Sequence, residues 1–250
     1  MATYIEKLLI ERFREASSFT RDDLFKFYKI YEPDLNEGTF GWRIYELKRK
    51  HVIKTIKNGV YSLINKKEFK PELDKIILDV GKHLHSSFDH HLYNIWSTSW
   101  LNEFTELQIV SFMIILETDK SSMESVFYKL KDHGFQNVFL KPDESIMEKY
   151  ISEVKDSIIV KPMVSRAPVK IIKKIQVPTL EKILVDLYCD EKIFYSFQGH
   201  QLIKIYEAAF EKYVINLSRM LNYAKRRKRE DGIKMFLLKN LNDKIKALIE

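Results

Sequence analysis

The side chains best suited to chemistry lie on one predicted helix near the start of the chain. If Phe40, Ile44 and Leu47 face a core, the opposite face of a helix from Asn36 to about Lys50 is polar, because residues three or four apart share a face. The polar face carries Thr39, Trp42, Arg43, Glu46 and Lys50. A guanidinium can bond guanine O6 and N7 together, so the pattern predicts that Arg43 reads a base.

Basic residues around this face extend the positive surface. They are Lys48 and Arg49 on the helix, Lys54 and Lys57 on the following hairpin, and Asn58 at its tip. Residues 39–70 hold nine Lys/Arg and two Asp/Glu, a balance that favours phosphate contacts. The sequence therefore predicts a surface for duplex DNA; a solvated basic face on a module that binds protein is the alternative.

The elements that must position these side chains follow a recognisable order. Apolar residues recur at helical spacing in three segments before residue 51, and Ser18 or Thr20 can cap the second of them. Two β-type runs follow, and Asn58-Gly59 between them predicts a type I′ hairpin turn. Three helices and a hairpin within residues 1–65 predict a winged helix-turn-helix domain.

The rest of the chain is predicted to form a second domain. Residues 66–74 read as a linker, because the segment is charged and contains Pro71. Residues 75–250 are predicted to form a small α/β domain with a helical C-terminal part, and the whole chain to be α+β. Strands are expected at 92–96, 109–116, 138–140, 157–164 and 169–177, and helices at 121–133, 179–188, 200–214, 217–229 and 231–249, with 76–80 either strand or helix.

Charge is distributed unevenly along the chain. Residues 1–70 hold 15 basic and 10 acidic side chains, residues 71–160 hold 8 and 15, and residues 161–250 hold 19 and 10, which gives net charges of +5, −7 and +9. Two basic ends predict a polyanionic or acidic partner. The run Lys225, Arg226, Arg227 and Arg229 is the predicted partner-binding surface, and a solvated helix end is the alternative.

Other residue types point to no catalytic or cofactor site. His83, His85, Asp89, His90 and His91 cluster, but without a metal-binding spacing. The hydroxyls in the segment 96–100 lie between two tryptophans and suit helix capping better than nucleophilic catalysis. Phosphate-binding glycine motifs are absent, and the single cysteine excludes an internal disulfide. We expect no cofactor, no metal and, without a signal-peptide pattern or a long apolar run, a cytoplasmic protein without membrane contact.

Three segments resemble a known family. Ile53–Lys54 through Asn58-Gly59-Val60-Tyr61-Ser62-Leu63, the helix Val177–Leu187 and Trp96-Ser97-Thr98 are similar to segments of the AbiEi-like antitoxins. The resemblance implies the antitoxin of a type IV toxin–antitoxin system. Such an antitoxin represses its own promoter through the winged helix, and its C-terminal domain neutralises a nucleotidyltransferase toxin.

Two other classes of function remain open on the sequence. A nucleic-acid-processing or defence-system enzyme would be targeted by the winged helix and would use Glu117, Asp119 and Glu124 as its carboxylates. These acids also suit a strand end and a helix start, which requires no catalysis. A protein-interaction adaptor is the third possibility.

Overall fold

The computed structural model describes residues 4–16, 18–64, 67–85, 93–105, 111–151 and 154–241, together with Asp243 and Lys246. Within them the fold is mixed α+β, as the sequence predicts. The N-terminal unit contains α1 (Tyr4–Arg12), β1 (Phe19–Thr20), α2 (Arg21–Tyr31), α3 (Glu37–Arg49), β2 (Ile53–Lys57) and β3 (Val60–Leu63). Its strands form an antiparallel sheet in the order β1-β3-β2.

Local sequence signals start both long helices of this unit. Thr20 and Asp23 form a capping box at α2, in which each side chain accepts the other residue's backbone N–H. Asn36 caps α3 by accepting the N–H of Thr39 at 2.9 Å. The helices and the sheet then enclose a hydrophobic cluster that includes Leu9, Leu24, Phe40, Leu47 and Ile53. This cluster is separate from the larger core of the second unit.

The hairpin between β2 and β3 differs in detail from the prediction. Gly59 has a φ of 72°, but Asn58 is not among the residues of positive φ, so the turn is not type I′. The register shifts between Thr55 and Lys57, which leaves Ile56 as the additional residue of a β-bulge. Ile56 packs into the larger core instead of the cluster of its own unit. The bulge therefore joins the hairpin to the second unit.

The second unit contains a four-stranded sheet, a hairpin and most of the helices. Its elements are α4 (Lys75–His85), β4 (Tyr93–Ser97), a 3-10 helix (Thr98–Glu103), β5 (Met113–Thr118), α5 (Met123–Asp132), β6 (Val138–Leu140), α6 (Glu144–Ile146) continued by a π-helical turn (Met147–Ile151), β7 (Ser157–Pro162), β8 (Val169–Ile172), β9 (Ile175–Pro178), α7 (Leu180–Cys189), a 3-10 turn (Tyr195–Phe197), α8 (His200–Lys212), α9 (Leu217–Arg226) and α10 (Glu230–Asn240). The ambiguous segment 76–80 is helical, and α10 ends nine residues before the predicted end at 249. Most residues after Leu241 lie outside the described part.

The central sheet has the order β4-β5-β7-β6, with β5, β7 and β6 parallel and β4 antiparallel. Strand β5 and strand β7 are buried along nearly their whole length, as expected for parallel strands covered on both faces. The expected strand 169–177 is wrong. It is a hairpin of β8 and β9, which turns at Lys173 and Lys174 with φ of 49° and 67°.

The predicted linker packs against the second unit. From Phe69, the ring centroids of Trp100, Phe104 and Tyr213 are 6.3, 5.9 and 5.3 Å away, and the side chain is 6% exposed. Lys67 forms an isolated parallel bridge with Tyr213. The described part of the linker, residues 67–74, is therefore a packed strap and not a free spacer. None of the helices in the described ranges is long and apolar enough to cross a membrane.

Candidate functional site

The outer face of α3 is the most accessible part of the predicted DNA surface. Because Phe40, Ile44 and Leu47 are buried, the opposite side of α3 faces outward. Trp42 is 55% exposed and Tyr45 is 60% exposed, and Thr39 in the first turn of the helix is exposed as well. The sequence pattern selects Thr39 and Trp42 but not Tyr45. This face consists of exposed positions that recur every three or four residues along the helix, namely 38, 41, 42, 45, 48 and 49.

Four predicted DNA-binding side chains take part in three ion pairs inside the N-terminal unit. Arg43 lies 3.1 Å from Glu32, with its side chain 37% exposed, and one of its other nitrogens, Nε, is buried without a hydrogen-bond partner. Lys50 pairs with Glu6, whose side chain is 8% exposed. Glu46 pairs with Arg49 at 2.7 Å. As placed, Arg43 attaches α3 to the end of α2 through Glu32, and Lys50 attaches it to α1 through Glu6.

The hairpin presents fewer free cations than predicted. Lys54 lies 2.9 Å from Glu68 and its side chain is 22% exposed. Lys48 of α3 lies over the ring of Tyr61, 5.0 Å from the centroid. Lys57 is half-buried near the tip of the hairpin, and Asn58 is exposed. Lys57 and Asn58 therefore remain as the hairpin positions from which a side chain can reach outward.

Of the C-terminal basic run, three residues face solvent and one does not. Lys225, Arg226 and Arg229 are exposed. Arg227 turns inward, where its guanidinium lies 2.7 Å from Asp186 and 2.5 Å from Asp190. The expectation that Arg227 belongs to a docking surface is corrected, because the buried Asp186 and the partly exposed Asp190 already hold it.

Arg227 belongs to a buried ion network between the central sheet and the helices α7 and α9. The network contains three carboxylates and three cations, Glu117, Asp186, Asp190, Lys161, Lys182 and Arg227. At its centre, Lys182 Nζ lies 2.5 Å from both Glu117 and Asp186, and the side chains of Glu117 and Lys182 are fully buried. The charges balance, which is the condition for burying so many ionised groups.

Neutral side chains complete the network. Asn94 Nδ2 donates to Glu117 Oε2 at 2.8 Å, and the Tyr223 hydroxyl donates to Asp186 at 2.8 Å. Lys161 Nζ lies 3.2 Å from Glu117 Oε1 but is not aligned for a hydrogen bond. Glu117 and Asp186, the two fully buried carboxylates, are therefore held by neutral donors as well as by cations.

Burial and charge act in opposite directions on these groups. Burial alone would raise the pKa of Glu117, but Lys182 and Lys161 outweigh it and lower that pKa to about 2. Burial would likewise lower the pKa of Lys161 and of Lys182, but the neighbouring carboxylates raise both. The stability that Glu117 contributes is therefore complete above its unfolded pKa of 4.5 and is lost as pH falls toward 2.

The remaining sequence candidates have structural roles or lie apart. Glu117 is enclosed in the network, whereas Asp119 and Glu124 are exposed, so the three carboxylates of the enzyme alternative do not share one environment. Ser97 accepts the N–H of Ser99 at 3.1 Å, which confirms the capping interpretation. Asp89, His90 and His91 lie outside the described residues. Within the described ranges, no group of three His, Cys, Asp or Glu residues could hold a metal ion.

A known protein family matches most of the chain. It is DUF6577, a family of unknown function, and its family model matches residues 39–243. The chain belongs to the DUF6577 family. The match begins inside α3 and spans the hairpin, the central sheet and the buried ion network. It therefore includes the outer face of α3 from Thr39 onward and the C-terminal basic run. A search of curated proteins finds no match.

A double-mutant cycle tests whether this DUF6577 core depends on the balance of buried charge. Lys182→Met should lower the free energy of unfolding by about 3–5 kcal/mol, because it leaves a buried excess of negative charge. Adding Glu117→Gln restores the balance, so the double variant should be more stable than Lys182→Met alone. Urea unfolding measures the free energy of unfolding of both variants.

The exposed pair Lys192–Glu144, 2.8 Å apart with side chains 73% and 58% exposed, supplies the control. Lys192→Met should leave the free energy of unfolding nearly unchanged, because solvent screens the exposed pair. Equal costs for Lys182→Met and Lys192→Met, or additive losses in the double variant, would contradict the charge-balance account.

Proposed function

We propose that residues 4–63 form a winged helix-turn-helix that binds duplex DNA, and that the chain is a transcriptional regulator. In support, α2 and α3 are followed directly by the β2–β3 hairpin, and β1 completes a small sheet beside them. In this arrangement α3 is the recognition helix and the hairpin is the wing.

The outer face of α3 carries the proposal. Thr39, Trp42 and Tyr45 are exposed together on a helix that the core holds from behind. In the major groove, a hydroxyl can bond a base edge, and aromatic and methyl groups can contact thymine methyl groups. In this proposal Arg49 at the end of α3, and Lys57 and Asn58 at the tip of the hairpin, supply the phosphate contacts. We assign base contact to this stripe instead of to Arg43, which Glu32 holds.

A glycine on the exposed face of α3, Gly41, supports close approach of a partner. Gly41 lies inside α3, where glycine costs about 1 kcal/mol relative to alanine. A Cβ at Gly41 would meet nothing within 4 Å, so packing within the protein does not require glycine there. An external backbone that approaches the helix closely would require it.

Duplex binding can be measured by fluorescence anisotropy on DNA from upstream of the reading frame and on a random duplex of equal length. Trp42→Ala and Tyr45→Ala should each cost about 1–3 kcal/mol on the upstream duplex and less on the random one. Lys57→Ala should weaken both duplexes alike and lower the log–log salt slope by about 0.9.

Lys239→Ala is the control, because it removes one exposed cation from α10, outside the N-terminal unit. The proposal is refuted if the wild-type chain binds neither duplex at micromolar concentration. It also fails if Lys239→Ala loses as much affinity as the α3 variants.

Gly41→Ala separates stability from binding. It should raise the free energy of unfolding by about 0.5–1 kcal/mol, since the new methyl group is unopposed in the free protein. Because the same methyl group would stand between α3 and the groove, duplex affinity should fall at least about tenfold. Thermal unfolding and the anisotropy titration give the two numbers. An unchanged affinity would mean that no partner approaches the helix at this position.

The antitoxin role is the second part of the proposal and rests on the resemblance to the AbiEi-like antitoxins. Residues 177–187, which carry part of that resemblance, form the end of β9 and most of α7, and Lys182 and Asp186 of this segment belong to the buried network. We propose that the second unit neutralises a nucleotidyltransferase toxin and that DNA binding is a separate activity.

Co-expression with an adjacent nucleotidyltransferase gene tests this division. The full chain carrying Trp42→Ala and Tyr45→Ala should still restore growth, although it no longer represses the promoter. The full chain is used because Phe69 of the strap packs into the second core. Loss of rescue together with loss of repression, in a variant that remains folded, would show that the two activities are not separate.

A further inference from the structure

A pocket of about 360 Å³ lies between helix α9 and the segment that precedes β8. Its described lining consists of Arg166, Pro168, Asn216, Ser218, Arg219, Asn222, Tyr223 and Arg226. The pocket is on the second unit and shares no residue with the exposed face of α3. It therefore requires its own explanation.

The charge of the lining has one sign. Three of the lining residues are arginines, and none of the described lining residues is acidic. Arg166 and Arg226 form no ion pair with any residue in the described ranges; Arg226 has a long hydrogen bond, 3.5 Å, to the Ser165 hydroxyl. Arg219 lies 3.7 Å from Glu181 and its side chain is 45% exposed. Glu181 therefore offsets one of the three guanidinium charges, whereas those of Arg166 and Arg226 have no counter-charge among the described residues and favour an added anion.

Neutral donors supplement the arginines. Asn216 caps α9 by accepting the N–H of Arg219 at 2.9 Å, which places the first turn of this ten-residue helix at the pocket. The N–H group of Ser218, in that first turn, has no carbonyl partner within the helix and favours negative charge. Asn222 adds an exposed side-chain amide. The pocket thus combines charged and neutral donors around the same space.

One wall of the pocket is rigid. Tyr223 is 2% exposed, and its hydroxyl donates to Asp186 of the buried ion network at 2.8 Å. Arg227, four residues after Tyr223, is fixed to the same network by Asp186 and Asp190. Helix α9 therefore cannot rotate to disperse its arginines without breaking buried ion pairs. A donor set held in place before the ligand arrives binds with a smaller entropic cost.

We propose that this pocket binds the phosphate group of a small phosphorylated molecule of about mononucleotide size. Guanidinium groups pair with two phosphate oxygens at once, which explains a lining of arginines. The volume lies at the lower end of the range for small-molecule sites. A duplex is contacted over extended surfaces, so a compact concavity fits a small phosphate ester better than a DNA backbone.

Calorimetric titration of the full chain with AMP, inorganic phosphate and adenosine, at constant ionic strength, tests the proposal. AMP should bind saturably, inorganic phosphate should compete with it, and adenosine should bind at least about tenfold more weakly than AMP. The double variant Arg166→Ala/Arg226→Ala should weaken AMP binding at least about tenfold. Lys225→Ala/Arg229→Ala removes the same charge from neighbouring exposed positions outside the pocket and should change AMP affinity less than about twofold.

Three results would overturn the proposal. They are no saturable binding of AMP or phosphate at millimolar concentration, equal binding of adenosine and AMP, and equal losses in the two double variants. Duplex titrations of the same variants identify a different source of phosphate. If AMP does not bind and duplex affinity falls only in Arg166→Ala/Arg226→Ala, the pocket belongs to a DNA contact and not to a small molecule. None of these results depends on whether α3 binds DNA.

Discussion

Six ionised groups share one enclosed site where β5, β7, α7 and α9 meet, and the second unit depends on their balance. Each charge loses most of its hydration on folding, and the opposite charges 2.5–3.2 Å away, together with hydrogen bonds from Asn94 and Tyr223, compensate that cost. Apolar side chains of similar volume often replace buried ion pairs without loss of stability. The network is therefore better explained by the arrangement of sheet and helices that it specifies than by the stability it adds. We infer that the network fixes how the sheet and helices sit together, because Lys182 of α7 pairs with Glu117 of β5 and Arg227 at the end of α9 pairs with Asp186 and Asp190.

That placement determines what α9 presents to its surroundings. Because Arg227 and Tyr223 are fixed inside, Arg226 is directed outward, toward the arginine-lined pocket. Helix α9 also contacts β2, and Ile56 of the hairpin bulge is buried in the larger core. The N-terminal unit is thus attached to the second unit through the hairpin, with the exposed face of α3 left free. One buried electrostatic constraint orients the proposed phosphate pocket and supports the base of the proposed wing.

The sequence predicts elements where local signals act and fails where distant partners decide. Caps at Thr20 and Asn36 and the turn at Gly59 are readable because a side chain or a φ angle acts within a few residues. The Lys173-Lys174 turn is not, since lysine at positive φ carries no turn signal. Periodicity likewise treats Glu117 as a strand-end acid. Periodicity cannot reveal that Lys161 and Lys182, which are distant in sequence, are buried beside Glu117. Nor can it reveal that α7 is buried on all sides.

Hydrogen–deuterium exchange of the full chain, with and without duplex DNA, tests most directly the claim that α3 and the hairpin tip form the contact surface. The account predicts slower amide exchange in residues 37–50 and 57–60 when the duplex is bound, with α7 and the buried strands unchanged. Protection confined to the second unit, or a uniform change across the chain, would contradict it.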